Sequence, residues 1–211
     1  IINSSYTMFF VAQYEVKPAQ SLPSASLFTQ YNSSQAGRMF IRVNNPTTDT
    51  AQLWSWSGGG TKVADDEVNS NTPFMYTTKN NNRVVDGWVN GGTASDSGTV
   101  TISYDPPNVD NYIGKQIFGS NQYTESYKGL ISEIIIFDTP LTDDQIIKVQ
   151  YYLSKKWGLE TSIDSDGDGF TDAQEVNGGS SPIDPDDDLI PDLSDSVDAQ
   201  IGEASGLDSI E

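Results

Sequence analysis

The 211-residue chain contains no cysteine and no histidine. Together those absences remove thiol nucleophiles, disulfide staples, histidine-dependent triads, imidazole general bases and the usual zinc sites. Long apolar runs are missing too. The longest, such as Met8 to Ala12 and Ile134 to Phe137, are strand-sized, far short of the ~18 residues that cross a bilayer, so no direct membrane insertion is expected. Bases are scarce, 11 against 30 acids, for a formal net charge of −19. Such a balance repels nucleic-acid phosphates and anionic lipid surfaces, which argues against nucleic acid as a partner and for a bound metal or a cationic surface. The first residue is Ile, with no basic n-region or apolar h-region behind it, so the numbering is expected to start inside a longer precursor or at the end of a cut fragment.

What is present suffices for a fold. Apolar residues make up 36% and aromatics 10%, enough for a sizeable core, and the length suits one principal domain with an appendage. Charge marks the join. Residues 1–159 carry 14 acids and 11 bases, whereas residues 160–211 carry 16 acids and no base. The expected organisation is a β-domain over 1–159 and an acidic metal-binding repeat or linker over 160–211.

The first region is all-β in pattern. Tyr6 to Tyr14, Met39 to Val43, Gln52 to Trp56, Thr99 to Tyr104 and Ile131 to Phe137 are rich in β-branched and aromatic residues, the composition of half-buried strands. Asn44-Asn45-Pro46, Gly58-Gly59-Gly60, Asn80-Asn81-Asn82, Asn90-Gly91-Gly92 and Asp105-Pro106-Pro107 punctuate them as turns. One amphipathic helix follows. Thr142 and Gln145 form a capping box, Asp143 and Asp144 sit at the positive end of the dipole, Lys155 and Lys156 near the negative end, and Gly158 stops it. Ile146, Val149, Leu153 and Trp157 make the stripe expected to pack on the sheet, with Trp157 anchoring the last turn.

These features carry a resemblance. Ile113-Gly114, the run Tyr127-Lys128-Gly129-Leu130-Ile131-Ser132-Glu133-Ile134-Ile135-Ile136-Phe137, then Pro140-Leu141-Thr142 and Tyr152-Leu153-Ser154-Lys155-Lys156-Trp157-Gly158-Leu159 resemble the C-terminal half of bacterial laminin-G-like, concanavalin-A-like jelly rolls. Val85 to Gly91 is similar to that family's strand with a tight "DG" or "NG" turn. The resemblance covers roughly residues 5–159. It implies a two-sheet antiparallel jelly-roll sandwich, commonly a glycan- or protein-binding module of secreted surface proteins. The family's opening strand, of the form "fDGxxDyl", has no match before Tyr6. Its loss would leave an edge open to pairing by another chain.

The acidic region holds a metal-ligand frame. Asp164, Asp166, Asp168, Asp172 and Glu175 occupy positions 1, 3, 5, 9 and 12 of a twelve-residue calcium loop, with the Phe170 carbonyl at 7 and Gly169 at the sharp turn. Ca²⁺ is a hard cation that takes six to eight oxygens, and this spacing folds that many inward. Twenty residues on, Asp184, Asp186, Asp188, Ile190, Asp192 and Asp195 repeat the frame, with Leu189 in place of the glycine. A leucine is costly at positive φ, so three outcomes stay open for the second loop: a different bend, an ion shared with the first, or a lost site. The pair resembles the calcium-dependent type 3 thrombospondin-like repeats of bacterial surface proteins over about residues 160–200. Bound Ca²⁺ is expected to turn a flexible acidic linker into a stiff spacer. Extracellular modules of this kind bind with Kd of about 10⁻⁴ to 10⁻³ M, which points to a secreted or cell-surface setting.

No catalytic pair is expected. The β-glucanases of the concanavalin-like superfold carry a strand motif E-x-D-x-x-E. The nearest match, Glu133 to Asp138, has Ile135 at the third position, and its two acids are five apart, on opposite faces. For a ligand, Trp54, Trp56, Trp88, Tyr104, Tyr112 and Tyr123 are candidates to stack on sugar faces. The reading is a non-catalytic binding or adhesion module for a glycan or a surface protein, with neighbouring domains of the same polypeptide as further partners. Alternatives are a purely structural spacer, or an ancillary part of a polysaccharide-degrading enzyme.

Overall fold

The computed structural model describes residues 5–15, 24–31, 39–44, 50–57, 61–63, 67–92, 94, 96–99, 110–118 and 122–185. Strands β1 (Tyr6–Tyr14), β7 (Phe74–Asn81), β8 (Val84–Val89), β9 (Asp96–Thr99) and β13 (Gly129–Phe137) form one antiparallel sheet in the order β13-β1-β7-β8-β9. Strands β2 (Ser24–Tyr31), β3 (Met39–Asn44), β4 (Thr50–Ser57), β5 (Thr61–Val63) and β10 (Asp110–Ile113) form a second, ordered β10-β2-β3-β4-β5. Strand β6 (Glu67–Asn69) also pairs with β4, and β11 (Lys115–Phe118) pairs with β12 (Gln122–Ser126). Helices α1 (Asp143–Trp157) and α2 (Asp172–Gly178) follow.

The chain divides into two compact units, Ile1–Val89 with Ala94–Leu141, and Asn90–Thr93 with Thr142–Glu211. Among the described residues every strand falls in the first and both helices in the second. Helix α1, expected to close the β-domain at residue 159, thus groups with the acidic segment.

In the first unit the sheets share one core. Side chains alternate along β1, and Tyr6, Met8, Phe10, Ala12 and Tyr14 meet Phe74 and Tyr76 from the same sheet with Leu27, Phe28 and Val68 from the other. Each fully buried side chain of this size contributes about 1.5–3 kcal/mol. The polar tips are satisfied locally: the Tyr14 hydroxyl donates to the Val68 carbonyl at 3.0 Å, linking the two sheets. The alternate β1 residues Thr7, Phe9 and Val11 are buried too, and Phe9 meets Phe137 edge to face at 6.1 Å. The two-sheet antiparallel sandwich expected from the sequence is the fold observed.

Local details differ from expectation. Asp86 and Gly87 make no tight turn; they lie inside β8, opposite Lys79 and Thr78. The hairpin turn falls at Asn82 and Arg83, at the end of the expected Asn80-Asn81-Asn82 turn, both left-handed at φ 48° and 81°, which suits the right-handed strand twist of a two-residue hairpin. The Asn80 side chain accepts from the Arg83 amide at 3.0 Å and fixes it. Asn90 and Gly91 of the "NG" alternative are left-handed too, at φ 58° and 83°. Strand β1 is interior, paired with β13 and β7. The strand expected over Thr99 to Tyr104 lies, past Thr99, outside the described residues.

Helix α1 carries its expected caps: the reciprocal Thr142 and Gln145 box, and Gly158 at φ 67° closing on Ser154. The buried stripe is Ile146, Gln150, Leu153 and Ser154. Val149 is half-buried and Trp157 is 40% exposed with the Lys156 ammonium over its ring, so Trp157 is no anchor. A polar residue, Ser154, sits inside instead because it has buried hydrogen-bond partners.

Candidate metal centre

After Gly158 the chain turns at once. The Leu159 carbonyl accepts from the amides of Ser162 and Ile163 at 2.9 and 3.1 Å, and buried Leu159 and Ile163 are the apolar pins of the turn. From Ile163 the loop runs out and returns at Asp172, whose amide donates to the Ile163 carbonyl at 2.8 Å. Gly167 and Gly169, at φ 87° and 102°, supply the bends between, in a region where a side chain would be strained.

Each aspartate of the D-x-D-x-D run is oriented by backbone donors. The two oxygens of Asp164 accept from Gly167 N at 2.7 Å and Gly169 N at 3.1 Å. Asp168 accepts from Phe170 N at 2.7 Å, and Asp166 accepts from Asp184 N at 3.0 Å. Such Asx turns hold short acidic side chains on the inside of a loop. One oxygen from each of Asp164, Asp166 and Asp168 lies within 4.8 Å of the others. Two oxygens at about 2.4 Å from one cation can be at most about 4.8 Å apart, so the spacing and the all-oxygen chemistry fit Ca²⁺.

The electrostatics also favour a cation. Burial pushes the Asp166 carboxyl up to about 6, and the charges of Asp168 and Asp164 push the same way against amide donors from Asp168 and Asp184. A proton and a divalent ion compete for that side chain.

The remaining expected ligands are placed differently. Asp172 is fully buried, and both its oxygens are engaged: Oδ1 accepts from the Ser165 amide at 2.9 Å, and Oδ2 from the Ser165 hydroxyl at 3.0 Å and the Ser154 hydroxyl. Burial raises its pKa, opposed by the Ser154 and Ser165 hydrogen bonds. It ties α1 to the loop from beside the converging three. Glu175, in the first turn of α2, is 2% exposed with both oxygens enclosed, and lies outside the group of three. The Phe170 side chain is exposed. Asp184 is buried and reaches the first loop through its amide, so the second acidic run begins folded against Asp166. Asp186, Asp188, Ile190, Asp192 and Asp195 lie outside the described residues.

Sequence reasoning passed over three supports. Thr171 and Gln174 repeat the capping box of α1 at the start of α2. Ser154 and Ser165 hold Asp172. Gly91 pairs with Asp164, whose amide donates to the Asn90 carbonyl at 3.2 Å and whose carbonyl accepts from Gly92 N. The first two carry a sequence signal, a T-x-x-Q box and hydroxyls flanking an acidic run; the third is a long-range contact with none.

The aromatic candidates are scattered. Trp54 and Trp56 lie on β4 opposite Arg42 and Phe40 of β3. Trp88 is buried, with the Lys79 ammonium 5.2 Å from its ring centre. Tyr112 donates to the Asp110 carboxylate at 3.2 Å beneath the Lys115 ammonium. Tyr123 is on β12 opposite Ile117, and Tyr104 lies outside the described residues. Glu133 faces Val11 on β13, and Asp138 falls past the strand's end.

Residues 164–185 match the family model of the bacterial TSP3 repeat, a calcium-binding repeat type. Solved structures share the sandwich. The CBM40 of the Ruminococcus gnavus IT-sialidase, bound to alpha2,3 sialyllactose, is 13% identical with a TM-score of 0.53, over 71% of this chain and 84% of that one. A SAP-like pentraxin from Limulus polyphemus is 12% identical with a TM-score of 0.52, over 66% of each chain. A putative carbohydrate binding protein from Bacteroides ovatus is 18% identical with a TM-score of 0.50, over 68% of this chain and 40% of that one. The chain thus spans just under two thirds of the pentraxin and less than half of the Bacteroides protein. At these identities the likeness shows the jelly-roll, lectin-like fold. No curated protein matches the chain. No helix among the described residues is long and apolar enough to cross a membrane.

Proposed function

We propose that this chain is a non-catalytic extracellular or cell-surface binding module for a glycan or surface protein, followed by a spacer that calcium makes rigid. The observation that carries the reading is the convergence of Asp164, Asp166 and Asp168 on one point at Ca²⁺-compatible spacing, in a stretch that matches a TSP3 repeat. Those three carboxylates hold the ion, with the Phe170 carbonyl and Glu175 as further oxygens and Asp172 as the residue that positions the loop. Asp184 brings the second acidic run to the same ion, the shared-site outcome. Bound calcium supplies two positive charges to a segment with few apolar side chains to bury. The chain's own contribution is prior orientation of the carboxylates by backbone amides. The binding part of the reading is supported by the fold, shared with a sialyllactose-bound CBM40. Trp54 and Trp56, two apart on β4, are the proposed stacking pair.

Calorimetric titration of the full chain with CaCl₂ tests the metal site. Binding in the range 10⁻⁴ to 10⁻³ M is expected, abolished by Asp168→Ala and Asp166→Ala. Absence of heat in the unaltered chain, with protease sensitivity unchanged by calcium, overturns it. A glycan array on the same protein tests the ligand.

A further inference from the structure

Three of the chain's eleven bases, Lys148, Lys155 and Lys156, lie within nine residues of α1, and none follows them. With Tyr151 and Tyr152 they line a groove of about 460 Å³ whose walls include no carboxylate. A second hollow of about 250 Å³ shares Tyr151 and Lys155 but is walled further on by Glu160 and Asp172 as it runs to the exposed Val176 of α2, so the cationic stretch ends with the first groove. In a protein of net charge −19 this is a concentrated cationic surface.

Two of the three cations are held in place. The Lys155 ammonium sits 5.2 Å from the Tyr151 ring centre and that of Lys156 5.5 Å from Tyr152, so cation–π attraction restricts side chains that otherwise wander. Lys148 and Lys155 are two helical turns apart, about 10 Å along the axis. A ligand satisfying both carries more than one negative charge on an extended body.

We propose that this face of α1 binds an acidic oligosaccharide. Between the charges the walls are aromatic and mostly apolar, which matches the C–H faces of pyranose rings. An acidic peptide would bring backbone amides and carbonyls that the groove has few groups to satisfy. A long polyanion such as a nucleic acid would extend past the groove onto Glu160 and the acids that follow it, whereas a short oligosaccharide spans only Lys148 to Lys155. The site uses no proposed calcium ligand and none of the sandwich aromatics, so it stands or falls apart from the function proposed above.

The test is calorimetry of the full chain at low salt with three probes: hyaluronan tetrasaccharide, the neutral chitotetraose of equal ring number, and tetraglutamate. The hyaluronan fragment is expected to bind at least about tenfold more tightly than either other probe, with affinity falling as salt rises. Lys148→Gln with Lys155→Gln is expected to weaken it about tenfold, while the corresponding Lys→Arg pair retains it. Tyr152→Ala is expected to weaken it severalfold. All these side chains except half-buried Tyr151 are exposed, and circular dichroism verifies that the variants fold. No binding of the hyaluronan fragment, equal binding of chitotetraose, tighter binding of tetraglutamate, or an undiminished glutamine variant each overturns the proposal.

Discussion

The sandwich and the segment after Gly158 bury opposite chemistry. Tyr6, Met8, Phe10, Leu27, Phe74 and Tyr76 make an apolar centre in the first. In the second, Ser165, Asp166, Asp172, Glu175 and Asp184 are buried around only a few apolar residues such as Leu159 and Ile163. Apolar burial is favourable in itself, whereas a buried carboxylate is unfavourable until hydrogen bonds and a counter-charge offset its lost hydration. The first region is therefore expected to hold by itself, and the second, on the function proposed above, to need the ion.

Chelation is the strongest way to break that contrast. Excess EDTA is expected to make residues 159–185 protease-sensitive and to collapse amide-exchange protection at Asp172 and Ala173, whose amides close the loop on Ile163 and Glu160. Amides of β1 and β7 are expected to stay protected. Loss of protection in both regions would show that the sandwich also depends on the ion. The converse is Phe10→Ala, which empties a fully buried position and is expected to lower the sandwich's unfolding free energy by about 3–5 kcal/mol. Calcium affinity measured below the unfolding transition is expected to remain unchanged; a fall would mean the two regions share their stability.

Legibility followed the same division. Strands announced by aromatic and β-branched runs lie close to where the sequence places them, Tyr6–Tyr14 as expected and Ile131 to Phe137 within the slightly longer Gly129–Phe137, because apolar periodicity is itself the cause of burial. Strand β2 was not legible: Ser24–Tyr31 has a short apolar pair, Leu27 and Phe28, and buries Thr29 and Gln30 beside it. The caps of α1 were legible from Thr142, Gln145 and Gly158. Its buried face was legible in part: Ile146 and Leu153 are inside as expected, whereas Ser154 is inside because its hydroxyl reaches Tyr151 and Asp172, the latter eighteen residues on. The calcium frame was legible as spacing, and spacing counts carboxylates without showing which are already engaged.

Gly91 sharpens the comparison at a single atom. At φ 83° it lies against the Asp164 backbone, and a Cβ there would overlap the Asp164 carbonyl. Gly91→Ala is expected to displace the first ligand of the loop and weaken calcium binding by roughly thirtyfold, about 2 kcal/mol. Gly92, at φ 76° with open space where its Cβ would be, is the control. Gly92→Ala is expected to cost about 1–2 kcal/mol of local stability with affinity near that of the unaltered chain. Equal effects from both would mean backbone strain, not contact with Asp164, is what matters.

The smallest effect separates a ligand from a residue that positions ligands. Asp172→Ala removes the acceptor for Ser154 and Ser165 and is expected to weaken calcium binding about tenfold, the usual scale for groups that orient ligands from behind. Ser154→Ala removes one donor from the same carboxylate and is expected to weaken binding by less. If Asp172 acts through the serine, combining Ser154→Ala with Asp172→Ala adds almost nothing to Asp172→Ala alone, a coupling that a double-mutant cycle on calcium affinity reads directly. If Asp172 instead touches the ion independently of α1, the two losses add. Additivity would then move Asp172 back among the ligands, and the burial of its carboxylate would reflect the ion rather than the helix.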